Sequence, residues 1–160
     1  MFHCYLDDFT EGSIFETEGK TVSEAEILEF AFKYDPQSFH MDVEAAKEGP
    51  FGGLIASGIQ TMAIGLRLLL QAQVFAPGAS MGSPGMDELR WLKPVRPGDT
   101  LRMRGEVLEV KPSRSKPGRG LLRYRMTIFN QHGEDVMSMV GMQLIKRRTT
   151  DGASHDNGAA

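Results

Sequence analysis

Cysteine is nearly absent: Cys4 is the only one in 160 residues. That excludes an internal disulfide scaffold and a cysteine-rich zinc module, and Cys4 has no neighbouring base in sequence to activate it. Long apolar runs are missing too. The longest, around Ile59 to Leu70, is broken by Gln60 and Arg67 and falls short of the ~20 apolar residues that a bilayer span needs. Neither sign of charge dominates. Eighteen Lys and Arg stand against 21 Asp and Glu, a formal net charge of -3, which gives no electrostatic footing for nucleic acid. The N-terminus carries His3, Asp7 and Asp8 in place of a basic region followed by an apolar run. The expectation is therefore a cytoplasmic chain without a secretory leader and without a membrane partner.

What the chain does have suits a packed domain. Hydrophobic residues make up 41% and charged residues 24%, which is enough to bury one core and argues against global disorder. Loop composition marks 76–86, which reads A-P-G-A-S-M-G-S-P-G-M, and a small, polar segment at 149–160 that reads as a disordered tail after a domain spanning 1–148.

The first half has helical spacing. Ser23 followed by Glu26 is a capping box, and Ile27, Leu28, Phe30 and Ala31 form a stripe that should end before Pro36. Asp42 can cap a short helix from Val43 to Glu48 that stops at Gly49. A third helix, about Gly58 to Gln73, is apolar nearly all round, which predicts burial on every side. The second half alternates with period two. Weak alternation at Glu88 to Leu92 and a turn at Pro97-Gly98-Asp99 precede strands over 101–110 and 121–130. A hairpin turn at 131–134 leads into a last strand from Asp135 to Lys146. Helices first and then an antiparallel meander imply an α+β domain, a sheet curled round one central helix.

The densest chemistry lies in Y-D-P-Q-S-F-H-M-D. Asp35 and His40 stand five residues apart in a proline-containing stretch between helices. A carboxylate and an imidazole turned toward one point suit proton transfer. A loop cap and a satisfied histidine would produce the same spacing. Next comes P-F-G-G-L-I-A-S-G. Gly58 in the first turn of the central helix would have an N–H with no intrahelical partner, reinforced by the helix dipole, able to polarise a carbonyl. Packing alone would also ask for a glycine there.

These two blocks, followed by E-L-R-W-L-K-P-V-R-P-G-D-T-L, resemble the MaoC-like acyl dehydratases, relatives of the (R)-specific enoyl-CoA hydratases. The resemblance runs from about Tyr5 to Arg148. It implies a single hot-dog domain, and a homodimer with sheets joined edge to edge. It implies an acyl-CoA thioester as substrate and no metal or organic cofactor. The activity implied is reversible syn addition of water to an enoyl-CoA, with Asp35 and His40 catalytic and the Gly58 N–H on the thioester carbonyl. Gly53, Ser57 and Gln60 are further candidates for substrate contact, and Arg114, Lys116 and Arg119 in the basic loop 111–119 are candidates for the CoA phosphates. The sequence departs from the hydratase pattern in three places. Gln37-Ser38 replaces Asn-Pro, Ser57 replaces a histidine, and Leu66 falls where an ungapped count puts a serine. Trp91 and Leu89 read as strand core or dimer contact. Two other functions compete. A thioesterase would want a carboxylate on the central helix, and Gly58 to Gln73 has none. A non-catalytic acyl-CoA-binding protein would fit the substituted positions.

Overall fold

The computed structural model describes residues 2–148, so the tail expected at 149–160 lies outside the described residues. A 3-10 turn at Leu6–Asp8 comes first. Two short strands follow, β1 (Ile14–Glu16) and β2 (Lys20–Thr21), then four helices, α1 (Glu24–Tyr34), α2 (Ser38–Met41), α3 (Val43–Glu48) and α4 (Gly58–Gln71). Four longer strands complete the chain: β3 (Gly85–Trp91), β4 (Thr100–Pro112), β5 (Arg119–Phe129) and β6 (Asp135–Lys146).

The caps work as the residue types dictate. Ser23 Oγ accepts the Glu26 N–H at 3.2 Å, and the Glu26 carboxylate accepts the Ser23 N–H at 3.0 Å. Lys20 anchors the same carboxylate at 2.6 Å. The Asp42 carboxylate accepts the N–H groups of Glu44 and Ala45 and so opens α3. α1 stops at Tyr34, because the residue before Pro36 is pushed out of the helical region. α4 is two residues shorter than its apolar pattern suggests: Gln73 adopts a left-handed φ of 49° and ends the helix.

All strands pair antiparallel, in the order β1-β4-β5-β6-β3, with β2 also on β4. Period two sets the buried face. Leu101, Met103, Gly105 and Val107 on β4, and Leu122, Tyr124, Met126 and Ile128 on β5, all point inward. Met103, Met126 and Met137 are fully buried, so these thioethers fill the core. α4 lies against this face. A side chain at Gly65 would run into Ile128 and Met126, so the helix backbone rests directly on β5. This is the sheet-round-helix arrangement of the hot-dog fold. Among the described residues no helix is long and apolar enough to cross a membrane.

Two features differ from the sequence expectation. α4 is not buried all round. Ile64, Leu68 and Leu69 are enclosed, but Ile59, Leu66 and Leu70 are 47%, 49% and 58% exposed. A curled sheet covers only one side of a helix, and no other element of the described chain covers the opposite side. β3 also starts earlier than its weak alternation suggests, at Gly85. The alternation is weak because the strand is exposed along most of its length and carries a bulge between Asp87 and Arg90, where Glu88 takes a φ of 54°. β3 pairs only with β6 and forms one edge of the sheet.

Gly65→Val would force α4 away from β5. Overpacking of this kind costs about 1–3 kcal/mol, and urea unfolding should show a loss of that size.

Candidate active site

The site forms where α1 stops, α2 begins and α4 starts. Asp35 is the C-cap of α1; its own N–H still reaches Ala31 O at 3.0 Å, but its φ of -148° and ψ of 70° turn the chain out of the helix. Pro36 then redirects the backbone into the single-turn helix α2, which carries His40. The sequence reading has this stretch as a loop, because four residues are too few for helical spacing to show. α2 delivers an imidazole only 4% exposed, packed edge-on to Phe39 with ring centroids 4.5 Å apart.

His40 Nδ1 lies 2.8 Å from the carbonyl oxygen of Ile55. A carbonyl only accepts, so this contact assigns the proton to Nδ1 and leaves Nε2 with its lone pair toward the cleft in the neutral ring. Nε2 is 3.4 Å from Asp35 Oδ2. The segment that supplies the Ile55 carbonyl is itself pinned. Ile55 N–H donates to Phe39 O at 3.1 Å, and Ala56 N–H donates to Val95 O at 2.8 Å.

Each oxygen of Asp35 has a neutral donor. Ser57 Oγ donates to Oδ2 at 2.7 Å, and Gln37 Nε2 donates to Oδ1 at 2.8 Å. The Ser57 hydrogen bond, then that of Gln37, hold the Asp35 carboxyl below its ordinary value of 3.8; partial burial opposes them and His40 assists. Two residues that mark departures from the hydratase pattern thus both grip the carboxylate. Nothing in their spacing reveals that for Ser57, 22 residues away in sequence. For Gln37 the clue was its place two residues after Asp35, within side-chain reach.

Ser57 also caps α4, accepting the Ile59 N–H at 3.2 Å. Gly58 is the first residue of α4. Its N–H has no hydrogen-bond acceptor among the described residues, as a first-turn N–H should not. A Cβ at Gly58 would fall inside the indole of Trp91. Trp91 therefore covers the helix start and lines the site; it is 52% exposed at the end of β3, which corrects its reading as strand core. A cleft of about 440 Å³ collects these groups: Asp35, Gln37, His40, Ser57 and Gly58 lie beside the apolar walls of Phe39, Ile59, Trp91 and Val95. Lys93 stands in the same cleft, paired with Glu134.

Several candidates from the sequence are not brought there. Gln60 turns away into the core, where its amide Nε2 donates to Glu26 O of α1 at 2.9 Å. Helical geometry puts it on a different side of α4 from Ile59. Gly53 lies outside the cleft, in the turn before it, with a φ of 147° beside the Arg96 guanidinium. Arg114, Lys116 and Arg119 border two separate hollows at the β4–β5 turn. Trp91 pairs with Met137 and Arg119 with Lys146. Nine residue steps of strand separate Met137 from Lys146, about 30 Å at the usual rise. The basic loop thus sits at the far end of the sheet from its own cleft. Cys4 is buried, and burial, with Asp8 nearby, pushes its thiol up, which keeps it unreactive.

Residues 9–127 match the model of the MaoC like domain. The chain belongs to that family. Relatives of this MaoC-like chain include the uncharacterized protein YdeM of Bacillus subtilis, 38% identical over 142 residues, covering 89% of this chain and 99% of YdeM. A 3-hydroxybutyryl-CoA dehydratase of Methylorubrum extorquens is 30% identical over 113 residues, 70% of this chain and 69% of that one. Among solved structures, the MaoC-like dehydratase from Rhodospirillum rubrum superposes with a TM-score of 0.85 at 38% identity, covering 91% of this chain and 98% of its own. The MaoC-like assignment agrees with the fold reached from periodicity.

The depressed Asp35 carboxyl has a consequence for stability. A group whose pKa is lowered on folding stabilises the native state above its unfolded value, and that contribution is lost as pH falls through the folded one. The difference in unfolding free energy between wild type and Asp35→Asn should therefore shrink as pH falls from about 6 to about 3. Denaturant titrations across that range test it; a pH-independent difference would contradict the assigned ionisation.

Proposed function

We propose that this MaoC-like protein is a hydro-lyase that adds water to, or removes it from, an enoyl-CoA or 3-hydroxyacyl-CoA thioester. The observation that carries the reading is the meeting of the Asp35–His40 pair with the unpartnered Gly58 N–H in one apolar-walled cleft. Similarity to a 3-hydroxybutyryl-CoA dehydratase supports the same class of reaction. The reading asks for no metal ion or organic cofactor.

The chemistry follows from the protonation pattern. Asp35 is held ionised and is a weak proton acceptor, whereas His40 Nε2 has a free lone pair and a fixed ring. A water lodged against both gives its proton to Nε2 as its oxygen forms the bond to Cβ. The Cα=Cβ electron pair moves into the thioester, and the Gly58 N–H, with the helix dipole, stabilises the enolate oxygen. The Nε2 proton then passes to Cα on the same face, which is syn addition. Asp35 remains an anion throughout and balances the imidazolium. Asp35→Asn and His40→Ala should each lower kcat for crotonyl-CoA hydration by at least ~100-fold, followed by loss of the conjugated thioester absorbance. Near wild-type rates in both would refute the assignment. Release of free CoA thiol in place of hydration would make the protein a thioesterase.

The active unit is a dimer in this reading, with a second copy beside β3. β3 is a sheet edge, and the bare α4 face begins at Ile59, next to Trp91 in the cleft. Antiparallel pairing of two β3 strands reverses the second sheet. The second copy's Arg114, Lys116 and Arg119 then lie at the cleft end of the first, where the CoA phosphates would emerge. Replacing all three with alanine should raise KM for crotonyl-CoA about tenfold, roughly 1.4 kcal/mol of binding. The N-acetylcysteamine thioester, which lacks the phosphates, should keep its KM. A monomer by light scattering, or equal effects on both substrates, would exclude this arrangement.

A further inference from the structure

Ser57 has two neighbours that constrain its hydroxyl completely. A carboxylate oxygen accepts and a backbone N–H donates. The Ser57 O–H must therefore point at Asp35 Oδ2, and an oxygen lone pair must face the Ile59 N–H. The residue is 1% exposed, so its hydroxyl is shielded from bulk water. Its carbonyl is also engaged, accepting the Thr61 N–H at 3.0 Å and the Thr61 hydroxyl at 3.2 Å. On its N-terminal side, Ala56 is tied to Val95 and Ile55 to His40.

We propose that Ser57 is a positioning residue that joins the two halves of the catalytic site, fixing Asp35 relative to the start of α4 through one hydroxyl. Resting on the hydro-lyase reading above, this makes Ser57 the element that sets the distance between the water site at Asp35 and His40 and the carbonyl site at the Gly58 N–H. By capping with the Ile59 N–H, Ser57 leaves the Gly58 N–H free for the substrate. By donating to Oδ2, it holds the carboxylate in the ionised form that the mechanism uses. Gln37 performs only the second duty, on the other oxygen. The titratable and charged groups that share the cleft with Asp35 are His40 from α2 and Lys93 beyond β3, the latter engaged by Glu134 from the β5–β6 turn.

Glycine separates the two duties, because it caps a helix at a cost of only a few tenths of a kcal/mol relative to serine yet offers no hydroxyl. Threonine retains both. Ser57→Gly should keep a wild-type melting temperature within a few degrees. It should lower kcat by roughly 10- to 100-fold and leave the affinity for butyryl-CoA, which cannot be hydrated, nearly unchanged. Ser57→Thr should restore the rate. A carboxyl carbon NMR titration of Asp35 reads the same tie without turnover, and its midpoint should move to higher pH in Ser57→Gly and not in Ser57→Thr. The proposal is overturned if Ser57→Gly keeps the wild-type rate, or if the Asp35 titration is the same in all three proteins. If wild type hydrates no enoyl-CoA while the Asp35 titration still moves, the hydro-lyase reading falls and the tie between Ser57 and Asp35 stands.

Discussion

The carbonyl of Ile55 governs the site. It points at His40 Nδ1, and that one hydrogen bond decides which nitrogen of a buried ring carries a proton and which faces the cleft. The carbonyl stays in place because its own peptide segment is laced to α2 on one side and to Val95 on the other. The same few residues then run directly into Ser57 and the first turn of α4. Histidine tautomer, carboxylate orientation and helix terminus are consequences of how one stretch of backbone is held. The stretch is held because a backbone with polar groups cannot be buried unless each finds a partner.

Neutral donors at Asp35 have a further effect. A lysine or arginine at this place would also keep the carboxylate ionised, but it would compete with the imidazolium for the same charge. Ser57 and Gln37 lower the carboxyl without adding a cation. The negative charge stays available to the neighbouring His40 ring, 3.4 Å away.

Much of this architecture is legible in the sequence. Ser23, Glu26 and Asp42 are caps whose side chains name their own partners within four residues, and β5, with the first half of β4, carries a period of two. Asp35 and His40 could be singled out because both ends of the pair lie in one short segment. What escaped reading depends on contacts between distant segments. β1, β2 and α2 have three, two and four residues, too few for any periodicity. Trp91 meets Gly58 only after the sheet closes on α4. The place of Gln60 in the first helical turn suits the cleft, but the direction of a helical side chain is set by the neighbour that the helix packs on, here the end of the first turn of α1. The apolar circumference of α4 predicts burial on all sides, but a helix packed on one sheet is covered on one side only, and Ile59, Leu66 and Leu70 stay about half exposed.

The kink in β3 bears on the open edge of the sheet. A straight outer strand exposes a ladder of N–H and C=O groups to any extended peptide, and proteins with such edges tend to aggregate. Glu88, in a left-handed conformation at a bulge, interrupts the ladder midway and increases the local twist. A generic β-strand finds no continuous register there. The bend therefore limits what can extend this sheet along β3.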